Sequence, residues 1–324
     1  MAIDLPALDK LDKLLFDIPV APVQGRRFQP TGFPDLGAAT FETEDGTCLL
    51  VESAQSMANR LEAACWDDAS QGLVPELAGL SYVRVNDKQG RFLTSTMLEA
   101  HRVNSVYVEK SDKGAFHKML AEEMAYDEKR PVDRAAFVRA LFKYDAGCLL
   151  HGAFLESIGG RLRIARAMTA FIEADGVRVA ASGGVKNDHV MPGRDGGDEG
   201  EGEKKTAKEG YGNVPFHRDE FTARSIMLFA NIDLAQIRGY GLGSEATSLL
   251  VILGLFKLRA LLDGKLRLRT ACDLKVVPDE VRATNATFVL PSRSSLETAL
   301  KPAISKCAGS FAKDKGVTTV MYAG

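Results

Sequence analysis

The sequence predicts a mixed α/β fold, on three observations. Short stretches alternate apolar with polar residues, as strands do; other stretches repeat apolar residues at helical spacing; and Gly/Pro-dense segments separate them without a repeat or a coiled coil. The order suggests short βαβ units with long excursions.

After an amphipathic start on Leu8, Leu11, Leu14 and Leu15, Leu15–Val20 has the apolar content of a short strand. Residues 21–37 then hold three prolines and three glycines, which exclude helix and central strand and predict a shaped loop. Thr47–Val51 reads as a strand leading into Ser53, a helix cap ahead of Ala54, Met57, Ala58, Leu61 and Cys65 at helical spacing. Leu80–Thr94 suggests a hairpin turning at Asn86–Gly90, and two amphipathic helices follow near Ala115–Tyr126 and Asp133–Lys143. Residues 95–150 thus read as a mainly helical insertion within a single 1–324 unit.

A second hairpin is predicted over Arg166–Ser182, turning on Asp175-Gly176. Residues 183–212 are rich in glycine and charge and predict a mobile tip. The last third reads as a strand near Ala223–Ile232, the glycine-rich link Arg238–Gly243, a helix Ser244–Leu262, a strand Lys265–Val277 and a helix Ser294–Cys307. In that last strand Lys265, Arg267, Arg269 and Lys275 fall on one side, and the reading favours a solvated edge over an RNA track. Arg161, Arg163 and Arg166 read similarly.

At 324 residues and 45% hydrophobic content the chain can bury one large core or two small ones. No run of eighteen apolar residues exists and the start lacks the order of a signal peptide, so the expected location is cytoplasmic, with no membrane contact. The five cysteines have no C-x-x-C and read as buried hydrophobes; the five histidines form no H-x-x-x-H, and no metal or cofactor is expected. Net charge is −2, of which 195–209 contributes −3, so any cationic surface must be a local groove.

Two features point to a phosphate-bearing ligand. Ser53, Ser56 and Arg60 share one stripe of the first helix, with Gln55 and Asn59 beside them, opposite Met57 and Leu61. Free N–H groups and the helix dipole favour a phosphate there; an ordinary cap with a solvated face is the alternative. The loop adds Arg26, Arg27 and Phe28 between Gln24 and Gln29, followed by Thr31, on a backbone stiffened by Pro22 and Pro30. Cations, amides and an aromatic suit phosphate contact and base stacking, against the alternative of an Ω-loop whose arginines cap carbonyls.

Gly241-Leu242-Gly243-Ser244-Glu245-Ala246 matches the G-x-G-x-x-A dinucleotide fingerprint, but no strand runs directly into it. Its glycines, with Arg238 and Tyr240 alongside, equally let a polynucleotide pass close to the backbone. No nucleophile elbow, paired carboxylates or Cys/His signature marks an enzyme. Asp35 is the acid nearest the proposed phosphate path, either a turn former or a metal-dependent RNA-cleaving residue.

The strings Pro22–Ala39, Val51–Glu62, Gly160–Arg163, Ala181–His189 and Val214–Glu220 resemble the CRISPR-associated backbone subunit of type I-U (I-G) surveillance complexes, of the repeat-associated (RAMP) superfamily. The resemblance implies a modified RRM-like (ferredoxin-like) core with a helical insertion and a protruding thumb hairpin at 183–218. It implies a non-catalytic subunit polymerised head to tail as a homo-oligomeric filament on guide RNA (crRNA), beside other Cascade subunits. Target DNA would be read by base pairing, with the protein holding backbone and shape. Carried across, Gln24 to Thr31 and Ser53 to Arg60 become the guide groove. Lys186, Asn187, His189, His217 and Arg218 flank the thumb, and Arg161, Arg163, Arg238 and Tyr240 complete the expected RNA contacts.

Overall fold

The computed structural model describes residues 5–33, 37–160, 162–186, 214–312 and 315–323. Its centre is a seven-stranded sheet in the order Arg267–Arg269, Cys272–Val276, Lys13–Pro22, Ser225–Asp233, Met168–Asp175, Gly46–Glu52, Thr40–Thr43. Every pairing in it is antiparallel.

Alternation in the strands sets one buried face. Leu14, Phe16, Ile18 and Val20 point the same way as Ile226, Leu228, Ala230 and Ile232 of the neighbouring strand and Met168, Ala170, Ile172 and Ala174 of the next, all buried. Removing each larger aliphatic or Phe side chain from water contributes about 1.5–3 kcal/mol, so a one-residue slip, which would turn the whole set outward, is strongly disfavoured. Two helices cover this face, Ala54–Ala63 and Ser244–Leu262. The second is apolar nearly all round because it is sandwiched between the sheet and the helix Arg293–Cys307. Gly254 faces Ile232 and Met168 of the sheet, where a Cβ would make ordinary contact at 3.4 and 3.8 Å. On the opposite face Phe171 and Phe229 stack at 5.2 Å, half-buried.

A smaller sheet pairs Tyr82–Asn86 with Phe92–Ser95, the hairpin expected from sequence, and adds Val317–Met321 in parallel to Tyr82–Asn86. That terminal strand carries no pattern long enough to read from sequence. Helical segments fill 102–151, including Ala115–Glu123, Arg134–Tyr144 and Gly147–His151. All five cysteines are buried and free, and no helix among the described residues is long and apolar enough to cross a membrane.

Two local expectations are corrected. Met168–Asp175 and Arg178–Lys186 are strands but do not pair as a hairpin across Asp175-Gly176. The first, buried on one face, pairs with both sheet neighbours; the second, largely exposed, leaves the sheet and pairs with Val214–Thr222 as a separate two-stranded arm. Within the arm a Cβ at Gly183 would lie 2.2 Å from the Phe216 carbonyl oxygen, so only glycine permits that approach. Lys265–Val277 is likewise not one strand: it folds back at Thr270-Ala271, pairing Arg269 with Cys272. Alternation survives a two-residue turn, which is why periodicity alone did not show the break.

Candidate nucleic-acid interface

Pro22 ends the first strand at its pairing with Leu274, and the chain is then tied down by main-chain bonds instead of a ladder. Val23 and Gln29 N–H donate to the carbonyls of Asp273 and Ala271, Thr31 N–H to that of Val51, and Phe28 exchanges both bonds with Phe221 at the root of the arm. The loop is therefore rigid although it is neither helix nor sheet. Gln24, Arg26 and Arg27 are exposed on it, with Gln29 and Thr31 half-buried.

Two buried glutamates bracket this loop, each holding two arginines. Glu52 Oε2 accepts from Arg269 Nη2 at 2.5 Å and from Arg60 Nη2 at 3.3 Å; Arg269 also donates to the Gln29 carbonyl and Arg60 to that of Leu268. Both cations keep part of their surface in water, 26% for Arg60 and 22% for Arg269. On the other side, Arg218 pairs with Glu220 at 2.5 Å and Arg27 lies 3.6 Å from the same carboxylate with 56% of its side chain exposed. Each cluster carries one surplus positive charge at the surface, which is what an anionic strand needs from a nearly neutral protein.

The helix start is as expected. Ser53 Oγ accepts from the Ser56 N–H, which caps Ala54–Ala63. Gln55 is exposed, while Ser53, Ser56, Asn59 and Arg60 are half-buried on the face away from Met57 and Leu61.

Several expected contacts are not brought to this place. Phe28 is 1% exposed and belongs to the core, so it cannot stack on a base; its apolar ring gains more by filling the space beneath the loop. Tyr240 is also buried, its hydroxyl donating to the Leu149 carbonyl at 2.6 Å and accepting from Gln236. Arg238 donates to the Leu11 carbonyl and approaches Asp12. Both sit at the Lys13 end of the ten-residue first strand, about 30 Å from the Pro22 end at ~3.3 Å per residue. Gly241 and Gly243 have φ of +68° and +88° and follow the short helix Leu234–Gly239, not a strand, which removes the dinucleotide context.

Arg163 is exposed, its guanidinium 4.1 Å from the centre of the Phe154 ring. His217 is exposed beside Asp219, and Lys186 ends its arm strand. Asp35, Arg161, Asn187 and His189 lie outside the described residues. Among the described residues no group of three or more His, Cys, Asp or Glu is placed to hold a metal ion.

The sequence reading missed Glu52, Glu220 and Arg269, which organise the clusters. Arg269 falls on the side expected to be solvated, and the turn at Thr270-Ala271 directs it inward. The Glu52 partner is 217 residues away, beyond any local signal. Glu220 and its neighbour Phe221 are both buried, so no alternation in the sequence marks the second cluster.

Comparison with known proteins finds no match among curated ones. Among solved structures, the chain is similar to a chain of a CRISPR RNA-guided surveillance complex in a pre-nicking state, at 15% identity over 84% of this chain and 76% of that one, TM-score 0.37. It is also similar to Thermofilum pendens Csc2, at 12% identity over 94% and 80%, TM-score 0.33. Neither likeness is close enough to carry weight. A family model does match, that of CRISPR-associated protein GSU0053, over residues 14–179. The match starts on the first sheet strand, includes the loop, the capped helix and the helical excursion, and ends as the arm begins. Covering just over half of the chain, it shows that this protein belongs to the CRISPR-associated protein GSU0053 family.

Proposed function

We propose that this chain is a non-catalytic, guide-RNA-binding backbone subunit of a type I-U/I-G CRISPR surveillance complex. The observation that carries the reading is the rigid loop with exposed Gln24, Arg26 and Arg27, bracketed by the Arg60–Glu52–Arg269 and Arg27–Glu220–Arg218 clusters. Such an array offers cations and amides to a sugar-phosphate backbone and presents no helix for reading bases. Sequence would be read by the guide itself, pairing with target DNA.

The core is then RRM-like. Lys13–Pro22, helix, Met168–Asp175, Ser225–Asp233, helix, Cys272–Val276 follow the β-α-β-β-α-β order, and their sheet positions are fourth, first, third, second. Residues 95–150 act as a helical insertion, and the 183–218 segment as the thumb. The arm strands Arg178–Lys186 and Val214–Thr222, which overlap that segment, expose Val179, Val185 and Phe216, apolar groups suited to meeting a partner in an assembly. Copies would repeat head to tail on the guide beside other Cascade subunits, since a heterologous, non-closing contact makes a filament.

Binding of single-stranded RNA against salt tests the reading. Wild type should lose affinity steeply with salt, and Arg27→Ala with Arg60→Ala should reduce the slope of log K against log salt by roughly 1.4, for two phosphates at ~0.7 each. A flat wild-type response, or an unchanged double variant, would remove the groove from contention.

A further inference from the structure

Behind Gln55 lies a cavity of ≈610 Å³ lined by Asn104, His151, Arg163 and Arg166 among others, with Glu156 as the one carboxylate among its described lining residues. Two of these residues keep a buried polar atom without a partner, His151 Nδ1 and Asn104 Oδ1. The chemistry at His151 is determined by its neighbour. Lys257 Nζ lies 3.0 Å from Nε2, and an ammonium can only donate, so Nε2 accepts and the ring proton sits on Nδ1. Burial, then Lys257, Arg102 and Arg166, hold the imidazole pKa well below its ordinary value, so the ring is neutral with its single proton on Nδ1. A 1%-exposed imidazole thus carries an N–H with no acceptor among the described residues. That N–H is closed off from solvent, so it lends positive potential beside the cavity without a direct ligand contact.

Arg166 points to the same conclusion. It was expected on a solvated face, yet it is half-buried, donating Nε to the His151 carbonyl and Nη2 to Gln55 Oε1, with no carboxylate partner among the described residues. Burial and then the nearby Arg102 charge lower its pKa, against the pull of Glu62, as for a cation only partly compensated. Arg163 adds a second guanidinium, over Phe154, with no carboxylate partner among the described residues. Donors and unpaired positive charge in a concave site call for an anion, and the fork of an arginine suits phosphate.

We propose that this cavity binds a backbone phosphate of single-stranded RNA through Arg166 and Arg163, as a contact additional to the loop groove. The assignment rests on the RNA-binding reading above, and Gln55, in the first turn of the groove helix, joins the two places. The cavity exceeds what a lone ion fills, and Phe154 supplies a flat wall beside the guanidinium.

The test uses the full chain with a single-stranded RNA oligonucleotide across a salt series, comparing wild type, Arg166→Gln, Arg163→Gln and a loop variant, Arg26→Ala with Arg27→Ala. Each pocket variant should reduce the salt slope by roughly 0.7 and weaken binding several-fold, additively with the loop variant, and Arg166→Lys should restore the slope. Arg163 is exposed, so its variant reports even where Arg166→Gln disturbs folding. Wild-type binding by both pocket variants, with the loop variant impaired, overturns the pocket and leaves the groove standing. If wild type binds no RNA, the RNA-binding reading fails and takes this assignment with it. Thermal shift with inorganic phosphate then tells whether the cavity is a free-anion site, shown by stabilisation that Arg166→Gln abolishes, or no anion site.

Discussion

Glu52 and Glu62 stand just before the cap and at the last turn of the same ten-residue helix, both all but buried, and each holds two cations. The partners differ. Glu52 meets Arg60 and Arg269, which keep about a quarter of their side chains in water. Glu62 meets Arg102 at 2.7 Å and Lys257 at 3.9 Å, 5% and 0% exposed, in a sealed cluster with Asp145, Cys148 and His151. Burial raises the Glu62 and Asp145 carboxyls, against the pull of Arg102 and Lys257 on Glu62, and raises the Cys148 thiol further. One end of the helix presents charge that a ligand can share; the other ties the helix to the 102–151 excursion and the long core helix.

Removing Glu62 should therefore have the largest effect on folding. Glu62→Leu strands two buried cations, and a loss of about 3–5 kcal/mol is expected in chemical denaturation. RNA affinity per folded molecule should stay at the wild-type level; a coupled loss of both would show that the two ends act as one unit.

Glu52→Gln separates the ends in the opposite sense. Arg60 and Arg269 can still reach water, so the stability loss should be smaller, about 1–3 kcal/mol. RNA affinity should rise, because two guanidiniums no longer share their charge with a carboxylate. Weaker RNA binding by this variant would mean that Glu52 positions those arginines more than it competes for them.

The smallest effect per step is a pH dependence. His151 stays neutral in the folded chain while the unfolded chain takes up a proton below about 6.5, so its share of stability is lost as pH falls through that range. Glu62 and Asp145 act in the opposite direction, since a raised folded pKa gives stability at low pH that is lost as pH rises. Comparing wild type with His151→Leu isolates the histidine. Their stability difference should shift against wild type by at most about 1.4 kcal/mol per pH unit between pH 6.5 and 5. Parallel curves would show a ring that titrates as in water.

Much of the fold was legible because the main elements are locally consistent. Ser53 caps where it was expected to, the helices Ala115–Glu123, Arg134–Tyr144 and Ser244–Leu262 follow their apolar spacing, and the strand Ser225–Asp233 shows its alternation in the chain. Pairing was less legible. Arg166–Ser182 has two alternating runs and a good turn dipeptide, yet the first run is completed by strands from 46–52 and 225–233. Local turn chemistry cannot outweigh burial on both edges of a central strand.

The sequence by itself determined the element types, the stiff arginine-bearing loop, the capped donor-rich helix and, through long strings, the family. Only the tertiary structure decided which arginines are free and which are held, that Phe28 and Tyr240 are core, and that Arg166 turns inward beside His151. The physical reason is range. Helix and strand periods and caps act within a few residues, whereas the ion pair of Arg269 and the neutral state of His151 depend on Glu52 and Lys257, brought from 217 and 106 positions away. Local pattern can place a charged side chain on a face, but the dielectric and the partner it meets there exist only after the chain has packed.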